Sequence, residues 1–180
     1  MNLVKLKFPI GKYNTTYTPS ELLIKQWIKD IEAFPETVEA LTTGISNEAL
    51  LWNYRPDGWN VKQVIHHCAD SHMNAVIRFK LALTEDTPTI RPYFEDRWAE
   101  LSDTLNNDIY DSIMLLKGLH KKWGTLLTRL TTEQLKLSFI HPEQGRKITL
   151  QENVGIYAWH CNHHLAHIKN GIASKGKYTY

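Results

Sequence analysis

TLQENVGIYAWHCNHHLAHIKNGIAS, residues 149–174, is the stretch whose reading decides the fold. It opens with Thr149 and Glu152 in capping-box spacing, where the Thr hydroxyl accepts from a backbone N–H and the acid reaches back. Apolar residues follow at Leu150, Val154, Tyr157, Cys161, Leu165, Ile168 and Ile172, three or four apart. That period is one stripe of an α-helix, and it predicts a long helix ending near Ser174. The stretch also holds His160, His163, His164 and His167, four of the chain's nine histidines. On an ideal wheel turning ~100° per residue, His164 lies ~60° from the centre of the stripe, His160 ~100°, His167 ~120° and His163 ~160°. His160 and His164 therefore flank the buried face one turn apart. His163 points outward and His167 is borderline. Imidazoles at i and i+4 can reach one ion from one rigid element, so this inward HxxxH is a candidate metal pair. A third ligand has to come from another helix.

Working outward, VIHHCADSH (residues 64–72) offers His66, His67 and His72. Asn60 and Gln63 predict a capped helix start, and the helix runs from Val61 to about Leu83. Its stripe is Val61, Val64, Ile65, Cys68, Ala75, Val76 and Phe79. His72 falls on the stripe, and His66 and His67 lie on opposite flanks. Periodicity fits either a packed core His72 or an edge ligand His67.

Two more long helices complete the pattern. The first begins at TPSE, with Thr18 as cap, Pro19 at the first helical position and Glu21 closing the box. It carries Leu23, Trp27, Ile31, Phe34, Val38, Leu41 and Ile45, with a kink expected at Pro35 and a stop at Gly44. The other spans Ile109 to Leu130. Short helices are expected within SNEALLWNYRPDG and near Glu95 to Leu101. LSFIHPEQGRKIT reads as a hairpin or an irregular loop, and LVKLKF as a short strand in an N-terminal arm, residues 1–17. Four long helices with few strands read as an all-α helix bundle, one domain over residues 1–180.

The bulk numbers agree. A hydrophobic fraction of 42% fills a core. With 21 Lys and Arg against 19 Asp and Glu, nothing points to nucleic acid or an anionic membrane. No apolar run approaches the ~20 residues of a membrane span. The N-terminus lacks signal-peptide features, so a cytoplasmic protein is expected. Cys68 and Cys161 make no disulfide framework and read as reduced core thiols.

The runs GWNVKQVIHHCADSHMNAVIRFKLALTEDTPTIRPY (residues 58–93) and YAWHCNHHLAHI (157–168) resemble the DinB-like superfamily. Within it, the chain is most similar to the YfiT group of metal-dependent hydrolases, which includes bacillithiol S-transferases. The resemblance covers nearly the whole chain. It implies an up-down-down-up four-helix bundle, a homodimer, and a divalent metal, zinc or alternatively nickel, between the helices. It also implies three ligands: His67, just before Cys68-Ala69-Asp70, and the pair His160 and His164. The chain departs from the usual pattern where a cysteine follows a ligand twice, Cys68 and Cys161. Both fall on apolar stripes, so small core packing is expected ahead of a thiol ligand or redox control.

Three neutral imidazoles leave a metal an open position. Water there would serve hydrolysis of a small-molecule substrate. A low-molecular-weight thiol such as bacillithiol would instead serve transfer of sulfur to an electrophile. Asp70 is the nearest base in sequence, or else it orients a histidine N–H. Arg78, Lys80 and Arg91 read as a solvated face rather than an anion site, and Trp59 and Trp159 as packing. A non-catalytic metal-binding bundle is the remaining alternative.

Overall fold

Residues 2–14 and 18–178 are described by a computed structural model. The elements in order are α1 (Leu3–Lys7), α2 (Glu21–Thr42), α3 (Asn47–Leu50), α4 (Val61–Thr84), α5 (Glu95–Trp98), α6 (Ser102–Leu105), α7 (Ile109–Leu127), α8 (Thr132–Lys136), β1 (Ser138–His141), β2 (Arg146–Thr149) and α9 (Leu150–Ser174). Among the described residues no helix is long and apolar enough to cross a membrane.

Cross-helix contacts give the directions of the four long helices. Between α4 and α9, Val61 sits by Gly171 and His67 by His160, while Ser71 meets Tyr157, so the helices are antiparallel. Between α2 and α9, Trp27 lies against Gly155 and Asp30 against Asn162, which makes them parallel. Ile31 meets His120 and Glu39 meets Lys117, so α2 and α7 are antiparallel. His66 meets Ser112, His72 meets His120 and Phe79 meets Trp123, so α4 and α7 are parallel. The order is up, down, down, up. Parallel neighbours cannot be joined by a tight turn, so residues 85–108 form a long crossover from α4 to α7; residues 128–149 cross over between α7 and α9, which run antiparallel but sit diagonally in the bundle.

Several starts and stops follow local chemistry. Asn60 and Gln63 form both halves of the capping box at α4. Thr149 accepts from the Glu152 N–H, but the Glu152 carboxylate pairs with Arg146 at 2.8 and 3.0 Å rather than closing a box. The start of α2 lies two residues later than Thr18 predicts: Ser20 is the cap and accepts from Leu23 N–H at 3.2 Å. Glu21 is therefore the first helical residue, too early to close a box. The helix continues unbroken through Pro35. The expected helix at Glu95 to Leu101 is the shorter α5, and α6 follows beyond it. Helix α7 stops at Leu127, because Thr131 opens α8 with its own complete box.

LVKLKF corrects from strand to helix, α1, capped by the Asn2 side chain at the Lys5 N–H. Among the described residues no strand pairs with it. LSFIHPEQGRKIT is the hairpin. β1 pairs antiparallel with β2, and Phe139 faces Ile148 with both side chains buried against the bundle. Gly145, at φ 62°, takes the left-handed position that ends its turn. The segment before Arg91 also docks on β1, through Ile140 N–H to Pro88 C=O at 2.9 Å and Ile90 N–H to Ile140 C=O at 3.0 Å.

Gly155 marks the closest approach of α2 to α9. A Cβ there would lie 2.8 Å from two Trp27 ring carbons and against the Tyr13 hydroxyl. Gly155→Ala should therefore destabilise the protein by about 1–3 kcal/mol of overpacking, seen as a lower urea midpoint. An unchanged midpoint would mean that this seam is loose.

Candidate metal centre

The antiparallel α4–α9 seam carries the histidines. His67 lies within ring contact of both α9 candidates, with centroids 5.4 Å from His160 and 4.9 Å from His164. One nitrogen from each of the three lies within 4.8 Å of the others. His67 Nε2 and His160 Nε2 are 3.3 Å apart. Zinc–nitrogen bonds of about 2.0–2.1 Å in tetrahedral array put neighbouring nitrogens about 3.3–3.4 Å apart, so this donor pair fits such an ion. His67 and His164 are buried, and His160 keeps an edge on the cleft. Burial, then neighbouring histidines, holds the His160 and His164 rings well below their usual pKa, and burial brings His67 down to about 4. All three are neutral imidazoles near pH 7, the form that ligates.

The cluster opens on a cleft of about 510 Å³. Trp59 leans on His67 with centroids 4.7 Å apart, and Tyr157 donates its O–H to the Ser71 carbonyl at 3.2 Å. The crossovers add Tyr93, Glu95, His141 and Glu143 to the walls, and Arg78 lines the cleft from α4. Trp159 donates its indole N–H to Gly11 C=O at 3.0 Å and stacks on His163.

A chain that brings these histidines together on this topology invites comparison. Residues 30–168 match the family model of the DinB superfamily. The chain belongs to the DinB superfamily. It is similar to a protein of Oceanobacillus iheyensis named "Putative metal-dependent hydrolase OB0782", at 48% identity over 90% of this chain and 93% of that one. It is 45% identical to "Putative metal-dependent hydrolase YfiT" of Bacillus subtilis, over 93% and 94% of the two chains. The solved structure of YfiT, described as "a probable metal-dependent hydrolase with an unusual four-helix bundle topology", superposes with a TM-score of 0.92 at 42% identity. That match covers 97% of this chain and 99% of that one.

Not every histidine of this DinB-superfamily chain lies where periodicity alone puts it. His163 is buried, because Phe8 at the end of α1 and Trp159 one turn before it on α9 cover it. His167 is buried too and stacks on Tyr54 with centroids 3.7 Å apart. His72 is the core histidine of its stripe. It contacts His120 at 2.8 Å and His160 at 3.0 Å. His120, which has no visible partner in the sequence, thus joins the cluster from α7. His66 bonds Ser112 at 2.7 Å on the opposite face of α4.

Asp70 is on that opposite face as well. It lines a separate cavity with His66, Asp103 and Asp111, and is absent from the cleft that the three histidines share. A step of three residues from His67 turns the side chain ~60° off, which is enough to cross the helix edge. Burial and then Asp103 push its carboxyl up to about 6. Glu95 and Glu143 are the carboxylates in the cleft, and their place comes from crossover packing that no local pattern signals.

Cys68, His72 and His160 also offer ligand atoms within 4.8 Å. That set competes with the first for His160, and both His72 nitrogens are engaged. Burial raises the Cys68 and Cys161 thiols well above their usual range. Both therefore stay protonated in the core, as packing groups.

The buried rings make the metal-free protein acid-sensitive. Unfolded histidine titrates near 6.5, whereas His67 and His120 titrate at about 4 in the fold, chiefly through burial. Between these values the unfolded chain binds protons that the native one refuses. Stability is therefore whole above pH 6.5 and falls toward pH 4, by roughly 2 kcal/mol per ring at pH 5. The half-buried Asp70 carboxyl works the other way and offsets part of this. Urea midpoints in chelator at pH 7.5 and pH 5 should show the drop, and equal midpoints would contradict it.

Proposed function

We propose that this chain is a metal-dependent hydrolase whose ion is held by His67, His160 and His164. The convergence of three neutral imidazoles on one side of an open cleft carries this reading. The names of the relatives support it. A divalent ion at the site, zinc in the first instance, supplies Lewis acidity and acidifies water or a thiol. The chain's own residues do the rest. Trp59 and Tyr157 wall the ligands from bulk water. The Tyr157 and Ser71 hydroxyls, 3.5 Å apart, can orient a substrate oxygen beside His160. Glu95 and Glu143 place carboxylates within the same cleft to take a proton.

Arg78 favours a second reading, transfer of a low-molecular-weight thiol to an electrophile. Its Nε is buried without a hydrogen-bond partner, and among the described residues no carboxylate pairs with it. An unpaired guanidinium in a cleft is suited to a carboxylate. Arg78 lies 11 residues after His67 on α4, about 16 Å along the axis. Its side chain leans back toward the ligands, as helical side chains do. A thiol of the bacillithiol kind carries its sulfur and carboxylates far enough apart to span part of that distance.

Two experiments test these readings. His160→Ala should lose stoichiometric zinc, while His163→Ala and Asp70→Asn keep it. Equal metal content in all three variants, measured by plasma emission, would remove the three-histidine site. Zinc-loaded protein should then be offered esters and amides, and separately an electrophile with bacillithiol, glutathione, coenzyme A or cysteine. If an anionic thiol is consumed, Arg78→Ala should raise its KM by about tenfold or more, with metal content unchanged. Turnover of neutral esters that is indifferent to Arg78 would favour hydrolysis instead.

A further inference from the structure

The ligand histidines do not stand alone. Behind His160 runs a buried file of rings. His160 Nδ1 lies 3.0 Å from His72 Nε2, and His72 Nδ1 lies 2.8 Å from His120 Nε2. His120 Nδ1 lies 2.6 Å from the Ile31 carbonyl oxygen. Phe34 packs on both His72 and His120. A second, shorter file backs His164. Its Nδ1 lies 3.3 Å from His167 Nδ1, and His167 Nε2 lies 3.2 Å from the Lys7 carbonyl oxygen.

Each file ends on a group that can only accept. A carbonyl oxygen has no proton, so His120 donates from Nδ1 and His167 donates from Nε2. A neutral imidazole has one donor and one acceptor, so the remaining nitrogen of each accepts. His72 must then donate from Nδ1 and accept at Nε2, which makes His160 donate from Nδ1. By the same step His164 donates from Nδ1 to His167. The direction of every bond follows from the two ends. It leaves a bare lone pair on Nε2 of both His160 and His164, and that of His160 lies 3.3 Å from His67 Nε2.

The two carbonyls are available for reasons visible in the chain. In a helix, Ile31 C=O would accept from the N–H of residue 35. Residue 35 is proline and has no N–H. Pro35 thus frees the oxygen that His120 takes. Lys7 is the last residue of α1, and the final carbonyls of a helix lack intrahelical donors.

We propose that His72, His120 and His167 are positioning residues which, anchored on the Pro35-freed Ile31 carbonyl and on the end of α1, hold His160 and His164 in the Nδ1–H tautomer and present Nε2 to a divalent metal. The tautomer is set before any ion arrives. In water the opposite tautomer is the commoner one, so an unbacked ring has to convert in order to ligate through Nε2. The arm that precedes the bundle becomes part of the site, since α1 supplies one of the two anchors. This rests on the ligand set proposed above, but the tautomers can be read in metal-free protein, independently of whether that set is correct.

The test is multiple-bond ¹H–¹⁵N correlation on histidine-labelled protein, with and without zinc, together with zinc affinity by chelator competition. In the metal-free wild type, His72, His120, His160 and His164 should show Nδ1–H, and His167 should show Nε2–H. Zinc should leave His160 and His164 in that form. Any of these five rings in the other tautomer overturns the proposal, and this reading needs no variant. His120→Leu should weaken zinc binding by about 10–100-fold and shift the His160 pattern, and His120→Gln, which can both accept and donate, should recover most of the affinity. Pro35→Ala returns an N–H to the Ile31 carbonyl and should weaken zinc binding in the same direction. A folded His120→Leu protein with wild-type zinc affinity and an unchanged His160 pattern would overturn the proposal.

Discussion

A neutral imidazole in a protein core must find an acceptor for its one N–H and a use for its one lone pair. Much of this molecule follows from meeting that demand several times over in one place. His72, His164 and His167 are buried with His67, and His120 reaches them from α7. No single helix can satisfy these rings. The α4–α9 seam brings ring to ring, α7 contributes His120, α2 contributes a carbonyl and α1 contributes another. The polar centre therefore ties four long helices and the arm to one arrangement. An apolar core of the same volume would tolerate small slides between helices, but this one would lose hydrogen bonds with each slide.

The topology divides the labour of the cleft. Helices α4 and α9 run antiparallel and carry the three candidate ligands on facing rigid surfaces. The parallel pair α4 and α7 obliges the chain to travel the length of the bundle between them, and the diagonal step from α7 to α9 needs a second long connection. Those crossovers supply the other walls: Tyr93 and Glu95 from one, His141 and Glu143 from the hairpin of the other. Rigid helices thus hold the candidate ligands, while the other walls come from the connecting segments.

Two prolines and a cap show how close local rules come and where they miss. Thr18-Pro19 reads as a start, yet Ser20 takes the cap, since its hydroxyl reaches Leu23 N–H and leaves Glu21 inside the helix. Pro35 reads as a lost helical hydrogen bond, and within α2 the carbonyl it strips of a partner finds one in His120. A local reading sees the missing N–H and cannot see the donor 89 residues away.

The sequence by itself determined the four long helices, the Asn60–Gln63 box, the inward lie of His160 and His164, the core place of both cysteines, and through resemblance the family, with His67 as an expected ligand. These rest on periods of 3.6 residues and on caps, which are properties of a short run of chain. By periodicity it left open the parts of His67 and His72, both of which meet His160 on α9, it misjudged LVKLKF and His163, and it named Asp70 only as the nearest base in sequence. Only the tertiary structure decided those. The exposure of His163 depends on whether α1 folds over it. The reach of Asp70 depends on which face of α4 the crossover from residue 85 to residue 108 covers. His120 and Arg78 acquire meaning only from what stands opposite them. A wheel measures angle about one axis, and a site is made where several axes cross.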